Sequence, residues 1–559
     1  MLTWACLLTA MSCSTVAISR HRVWYILAVH VLLVDQDLFV GSLGNLSIVA
    51  LGAPIAYTGD AYSWHVDRTW LLCCSGVSIT VHAVASYAVV YMLYEHSLMV
   101  FMAQLSWFMA SMLWYTSTVS VIHLVLLWEM LGLLSYLLIQ HWGSRTLAAL
   151  ASAKSMLSNK VLDALVLVAT SSMWALGVHD TTTLTASASS STMADVMVLG
   201  MVSVKCVLLG LHGWLPDAME GPTAVSAVIH AATLVVAGVV MVLRVTVILW
   251  MEHQVLWLWS CAVSCYSGIS YACTDAKRVV AYSTAWHVGV MAILSITHAG
   301  SSALHLVAHA VLKASMFMVM GTMLHVHAQQ DSRSIQGVVC SSTQHALLVW
   351  ALYHSTGWLY TATWTTKKVL LDSSWASGTT SWWSLLHGVL LIAVLLSVGY
   401  TVLILTVSIS GVATGRWHQQ DALSCYSWAP ALVAYSTVLG WSTSPLVLPL
   451  AVPQYGIHHL EGVHLTCCYL GWWYAAQVLS MTMIMVIAAS ATLSTSLRSL
   501  TGWVSWDTSM ARTTVITAYM LTCSGMLLLH PTVHVITQSI SSGVLPVMGI
   551  LLLAVSISA

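Results

Sequence analysis

Seven ionisable side chains stand inside long apolar runs of this chain, where an isolated charge is costly. Glu129 sits in Leu126-Leu127-Trp128-Glu129-Met130-Leu131-Gly132, and Lys205 lies mid-run between Met201 and Leu211. His230 lies in Val228-Ile229-His230-Ala231-Ala232-Thr233, within two turns of Pro222. His305, His309 and Lys313 recur at i, i+4 and i+8, which places them in one stripe on a helix face. Lys367 follows Tyr360 to Thr366 and precedes Lys368 and a second apolar stretch.

The chemistry such residues support is proton transfer. A charge at membrane depth costs roughly 2.5–3.5 kcal/mol on insertion scales. A lysine is far cheaper to bury neutral than charged, so Lys205 suits a relay; the competing reading is a lysine that snorkels to the interface. Burial and a neighbouring cation pull the proton affinity of Glu129 in opposite directions, so small rearrangements move its proton. The competing reading there is a glutamate at a helix end. An H-x-x-x-H pair also suits zinc, but the intervening glutamate and a third ligand are absent from the motif, so His305, His309 and Lys313 read better as a histidine–lysine proton chain. Metal is not expected on this chain.

The elements that position these residues are apolar helices. The chain has 559 residues, of which 59% are hydrophobic and only 6% charged, with mean hydropathy +0.86. Soluble domains carry about 25% charged residues, so this is an all-α polytopic membrane protein. Runs long enough to span a bilayer recur throughout and imply roughly fourteen to sixteen spans. Between Lys205 and Thr223, Gly210, Gly213, Pro216, Gly221 and Pro222 interrupt one such run. Broken helices at membrane depth are tolerated where protein or a water-filled cavity surrounds them. Lys367-Lys368 marks either a short loop between spans or a second broken helix. Single spans are expected after Pro222 to about 250 and over about 343–371.

A net charge of −1 leaves no basic surface for nucleic acid. The thirteen cysteines form no paired C-x-x-C motif, so no zinc or iron–sulfur site is expected. Nucleotide-binding glycine loops are absent, so energy for transport has to come from an ion gradient or another subunit. The apolar start, Met1 to Ser19, lacks a basic leader and reads as a retained first span, as in an organelle-encoded or bacterial membrane protein. Asp275-Ala276-Lys277-Arg278 and Asp331-Ser332-Arg333 read as polar loops that contact helix ends.

Several of these motifs carry a family resemblance. Trp214-Leu215-Pro216-Asp217-Ala218-Met219-Glu220-Gly221-Pro222-Thr223 with Ile229-His230-Ala231-Ala232-Thr233, Trp128-Glu129 with Ser135 to Ile139, Asp275 to Thr284, and His305 to Lys313 resemble the NADH–ubiquinone oxidoreductase chain 5 family. These are the antiporter-like membrane-arm subunits of respiratory complex I. The resemblance is specific over about residues 60–375 and rests on hydropathy and length beyond.

It implies two inverted five-helix repeats, each with a broken helix, followed by a lateral helix and an anchor helix. The divisions then are N-terminal helices 1–97, a first repeat 98–250, a second repeat 251–410, further helices 411–494, and the lateral helix with the final anchor 495–559. The implied roles are Glu129 and Lys205 as a switching pair, His230 as relay, His305, His309 and Lys313 as a polar axis, and Lys367 as the lysine exchanging protons with one side. NADH, FMN, iron–sulfur clusters and ubiquinone are expected on partner subunits and no cofactor on this chain. The expected partners are other membrane-arm subunits, above all the adjacent antiporter-like one, with the lipid bilayer, protons and water. The expected location is the mitochondrial inner membrane, with a bacterial plasma membrane as the alternative.

The chain departs from the family pattern in places. Lys368 stands where an aspartate is usual, Leu162 where glycine is frequent, and Val119-Ser120 where an Asp-Asn pair is common. Four phenylalanines against 27 tryptophans is unusual. The alternative is the large subunit of an Mrp-type Na+/H+ antiporter, disfavoured by Asp217-Ala218-Met219-Glu220-Gly221-Pro222 and by Val236 where that family has lysine. A structural subunit without pumping is the third reading.

Overall fold

The computed structural model describes residues 68–409, apart from 93, 119, 176–202, 204, 208–210, 245–251, 328–329, 332–341, 358–360 and 377–380. The expected spans before residue 68, the segment 411–494, and the lateral helix and anchor of 495–559 lie outside the described residues.

The regular structure of the described residues is helical. The order is α1 (Arg68–Tyr91), α2 (Leu98–Ser117), α3 (Val121–Ile139), a 3-10 turn (Gln140–Trp142), α4 (Thr146–Ala175), the short α5 (Trp214–Asp217) with a 3-10 turn (Ala218–Glu220), α6 (Thr223–Ala231), α7 (Leu234–Arg244), α8 (Glu252–Ala272), α9 (Ala276–Thr297), α10 (Ala299–His327), α11 (Ser342–Thr356), α12 (Ala362–Ala376) and α13 (Ser381–Ile409). Five helical stretches among the described residues are long and apolar enough to cross a membrane: Leu98–Ser117, Val121–Trp142, Thr223–Leu243, Ala276–Thr297 and Ala299–His325. The protein is a polytopic helical membrane protein.

Helix α10 is the centre of the bundle. It packs against α1, α6, α9, α11 and α12, while α8 bridges α9 and α13. Its stretch from Ser302 to Leu324 is buried on every side, so its histidines and Lys313 have no route to lipid. In a bilayer a hydroxyl must find its partner within the protein. The buried serines and threonines do so by donating to the carbonyl one turn back: Ser111 to Phe108, Thr116 to Leu113, Ser283 to Val280 and Thr322 to Val319.

Two expected spans prove to be broken. The stretch after Pro222 stops at Ala231 and restarts at Leu234. The stretch over 343–371 divides into α11 and α12, with Gly357 at φ +79 ending the first half. Glycine suits that left-handed turn because it has no Cβ to collide with the carbonyl. Both Lys367 and Lys368 lie inside α12, so the broken-helix reading holds over the loop reading, with the lysines after the break. The first break begins earlier than its glycines and prolines suggest: the helix carrying Ser203 and Lys205 turns at Cys206, and Val207 adopts φ +63.

Candidate functional site

Lys205 sits at the last turn before this break and is fully buried. Its ammonium donates to the main-chain carbonyl of Trp128 at 2.8 Å and lies 3.6 Å from the centre of that residue's ring. The face of an indole attracts a cation, so both contacts favour a lysine here. The indole N–H of Trp128 donates to Asp163 Oδ1 at 2.7 Å. Trp128 therefore stands between a lysine and a carboxylate, both buried. The strained carbonyl of Val207 accepts from the Tyr266 hydroxyl at 2.5 Å, which holds the break open.

Glu129 is not the partner of Lys205. It forms its ion pair with Lys160 of α4, and the side chains are 24% and 45% exposed respectively. The physical reason is angular: Glu129 and Trp128 are neighbours on α3, about 100° apart around the helix axis. With Trp128 turned inward to Lys205, Glu129 turns toward the margin.

His230 is fully buried on α6, and neither of its ring nitrogens makes a hydrogen bond among the described residues. Trp214 stacks along it at 6.5 Å between ring centres, and Phe317 of α10 lies at 5.9 Å. Immediately beyond it the helix breaks, and the Thr233 hydroxyl donates to the Val228 carbonyl at 2.9 Å. The unpaired imidazole and loosened backbone give this point both a donor and an acceptor to spare.

The second half holds a connected basic cluster. His305 Nδ1 lies 2.7 Å from the Thr366 hydroxyl, and His305 Nε2 lies 3.0 Å from His287 Nδ1. His287 Nε2 lies 3.3 Å from the Tyr400 hydroxyl, and the His309 ring is centred 5.4 Å from that of His287. Lys313 donates to the Ser283 hydroxyl and stands 5.3 Å from the Tyr400 ring centre. Lys367 follows Thr366 directly and donates to the carbonyls of Ser355 at 2.8 Å and Thr356 at 3.1 Å, and to the Ser397 hydroxyl at 3.3 Å. The stripe His305, His309 and Lys313 thus lies on one buried face, as the spacing predicts.

His287 and Tyr400 join Lys313 to His305, and sequence reasoning passed over both. The signal available was a lone histidine in Ala285-Trp286-His287-Val288-Gly289 and one tyrosine in the apolar run of α13. Asp163 was noted only as part of Asn159-Lys160-Val161-Leu162-Asp163. Lys368 does not join the cluster: it is half-buried, 5.7 Å from the Trp364 ring centre.

One end of the bundle carries a rim of charges. Lys154 pairs with Asp217 at 2.5 Å, and Arg145 and Arg278 each approach Glu220 at 3.9 Å. Asp275 caps α9 by accepting from the backbone N–H groups of Lys277 at 3.0 Å and Arg278 at 3.4 Å. Its backbone pairs with Asp331. Both polar loops therefore tie helix ends together.

The fold and site define a membrane-embedded helical bundle that threads lysines and histidines through its interior. Residues 117–395 match the family described as NADH:quinone oxidoreductase/Mrp antiporter, transmembrane. The chain belongs to that family. It is 35% identical over 291 residues to NADH-ubiquinone oxidoreductase chain 5 of Allomyces macrogynus, covering 50% of this chain and 45% of the relative. It is 32% identical over 369 residues to NADH-ubiquinone oxidoreductase chain 5 of Arabidopsis thaliana, covering 60% and 55%. The chain spans about half the length of these curated relatives. Its fold is similar to a chain of the membrane-bound sulfane sulfur reductase, an archaeal respiratory membrane complex, with TM-score 0.65 and 16% identity over 80% of this chain and 95% of that one.

Proposed function

We propose that this chain is a proton-translocating membrane-arm subunit of respiratory complex I in the mitochondrial inner membrane, where it couples NADH:ubiquinone electron transfer on partner subunits to proton movement. The observation that carries this reading is the connected run Lys313–Ser283, Tyr400–His287–His305–Thr366 next to Lys367, buried throughout. Imidazole suits such a run because one nitrogen accepts while the other donates, so a proton entering one side leaves by the other.

Lys205, beside Trp128 and Asp163, serves as the switching lysine of the first repeat, 98–250. Glu129 acts through Lys160, His230 relays, and His305, His309 and Lys313 carry the proton across the second repeat, 251–410. Lys367 exchanges it with one side. NADH, FMN, iron–sulfur clusters and ubiquinone belong to partner subunits, and the adjacent antiporter-like subunit is the nearest of them. That both relatives named above are chain 5 of NADH-ubiquinone oxidoreductase supports this reading over the Mrp-type antiporter.

A mild-detergent native gel stained for NADH oxidation, with the chain located by mass spectrometry, tests the assignment. Co-migration with a very large NADH-oxidising band is expected. A smaller assembly that exchanges Na+ for protons without that activity would overturn it. Within the complex, Lys205→Met and Glu129→Gln are expected to reduce coupled turnover sharply while assembly survives.

A further inference from the structure

Helix α6 carries a polar stripe of which the axis uses only the last member. Thr223, Ser226 and His230 fall at i, i+3 and i+7, one face of a helix whose side chains are all buried. Thr223 Oγ1 makes no hydrogen bond among the described residues. The Ser226 hydroxyl lies 3.5 Å from the Pro222 carbonyl, at the outer limit of such a bond.

Helix α1 supplies the next group outward. The hydroxyls of Tyr87 and Thr223 converge on the bare Cα of Gly321: a Cβ there would collide with Tyr87 Oη and stand 3.0 Å from Thr223 Oγ1. Tyr87 is buried, Tyr91 stacks on it at 5.3 Å between ring centres, and the exposed His325 stacks on Tyr91 at 4.3 Å. Phe317, Gly321 and His325 follow one another at four-residue steps on α10, and Phe317 lies against His230. Aromatic groups on one side and hydroxyls on the other therefore run between the same two points. The inner point is His230, and the outer is the end of the bundle where the charged rim lies.

We propose that Tyr87, Thr223 and Ser226 form a branch that passes protons between the charged rim and His230, with Gly321 left bare so that the first two hydroxyls reach one another. The branch rests on the proton-translocation reading above. Each hydroxyl accepts a proton on a lone pair from its outer neighbour and releases its own proton inward. One O–H bond forms as one breaks, no electrons are exchanged, and rotation about the C–O bond restores the starting orientation. His230 takes the proton on one ring nitrogen and gives up the other.

The test uses the intact complex in sealed vesicles and reads protons translocated per NADH for Tyr87→Phe, Thr223→Val, Thr223→Ser and Lys313→Met. Thr223→Val keeps the shape and removes the hydroxyl, whereas Thr223→Ser keeps the hydroxyl. The expected result is a fall of about tenfold in Thr223→Val and Tyr87→Phe, the size of one lost hydrogen-bonded step. Thr223→Ser is expected to recover most of the ratio, which a packing role would not produce. Wild-type ratios in Thr223→Val and Tyr87→Phe beside a block in Lys313→Met overturn the branch and leave the axis standing. A wild-type ratio in Lys313→Met as well overturns the translocation reading itself. If Tyr87→Phe fails to assemble on a native gel, the Thr223 pair decides.

Discussion

Lys367 closes the end of α11: its ammonium donates to the carbonyls of Ser355 and Thr356, the last two residues of that helix. The C-terminal end of a helix carries about half a negative charge, with carbonyls left over from the helical ladder. A lysine emerging from the following helix, α12, satisfies both. Its position is therefore built by the break itself, and the same ammonium that holds the helix end is available to exchange a proton.

Lys367→Met is expected to leave those carbonyls without their donor and to lower stability by about 1–2 kcal/mol. Thermal unfolding of the detergent-solubilised complex measures this. Proton translocation by the same variant separates the two roles. A variant that unfolds like wild type contradicts the capping role.

Gly357→Ala tests how the lysine is aimed. The backbone there has φ +79, and an added Cβ would stand 3.0 Å from Lys367 Cδ. The left-handed conformation alone costs a non-glycine residue roughly 1–2 kcal/mol. A modest drop in stability with a larger drop in coupled turnover is expected. Unchanged turnover would mean that the turn does not position Lys367.

His287→Gln interrupts the only contacts among the described residues that join His305 to Tyr400. A well-placed acid–base group is worth roughly 10²–10⁴-fold in rate. Proton translocation is expected to fall by at least the lower bound while NADH oxidation by the solubilised complex persists. Tyr400→Phe is expected to have a smaller effect, because Lys313 keeps Ser283 as a partner. Normal translocation by His287→Gln would sink the connected run.

A double-mutant cycle checks the partner of Glu129. Glu129→Gln and Lys160→Met are expected to couple by less than about 1 kcal/mol in stability, since both side chains are partly exposed. Glu129→Gln and Lys205→Met are expected to add without coupling. Lys205→Met and Trp128→Phe are expected to couple, because the ammonium lies on that ring. A direct coupling between Glu129 and Lys205 would restore the pair that sequence reasoning favoured.

The charged residues of the interior were legible in the sequence because a lysine in an apolar run has few alternatives. Lys205, Lys313 and the four-residue spacing of His305 and His309 all lie buried where their patterns place them. The partners were less legible. Which face Trp128 or Glu129 presents depends on the packing of α3 against α4, and no local pattern records that. His287 was hidden because one histidine in an apolar run has no periodicity. The break after His230 falls in Ala231-Ala232-Thr233, which has neither glycine nor proline to announce it. The turn at Val207 runs against local preference, because a β-branched residue at positive φ is costly. Tertiary contacts, Tyr266 among them, hold it there.

The cluster of His287, His305, His309, Lys313 and Lys367 contains five groups that gain positive charge on protonation. Among the described residues neither lysine lies within ion-pair distance of a carboxylate. Two unit charges about 5 Å apart repel by roughly 3 kcal/mol at an effective dielectric constant of 20. A second proton entering the cluster thus raises the free energy of the first wherever it resides. The cluster behaves as a queue with room for few occupants: each arrival hastens a departure, and traffic is metered by repulsion without any moving gate.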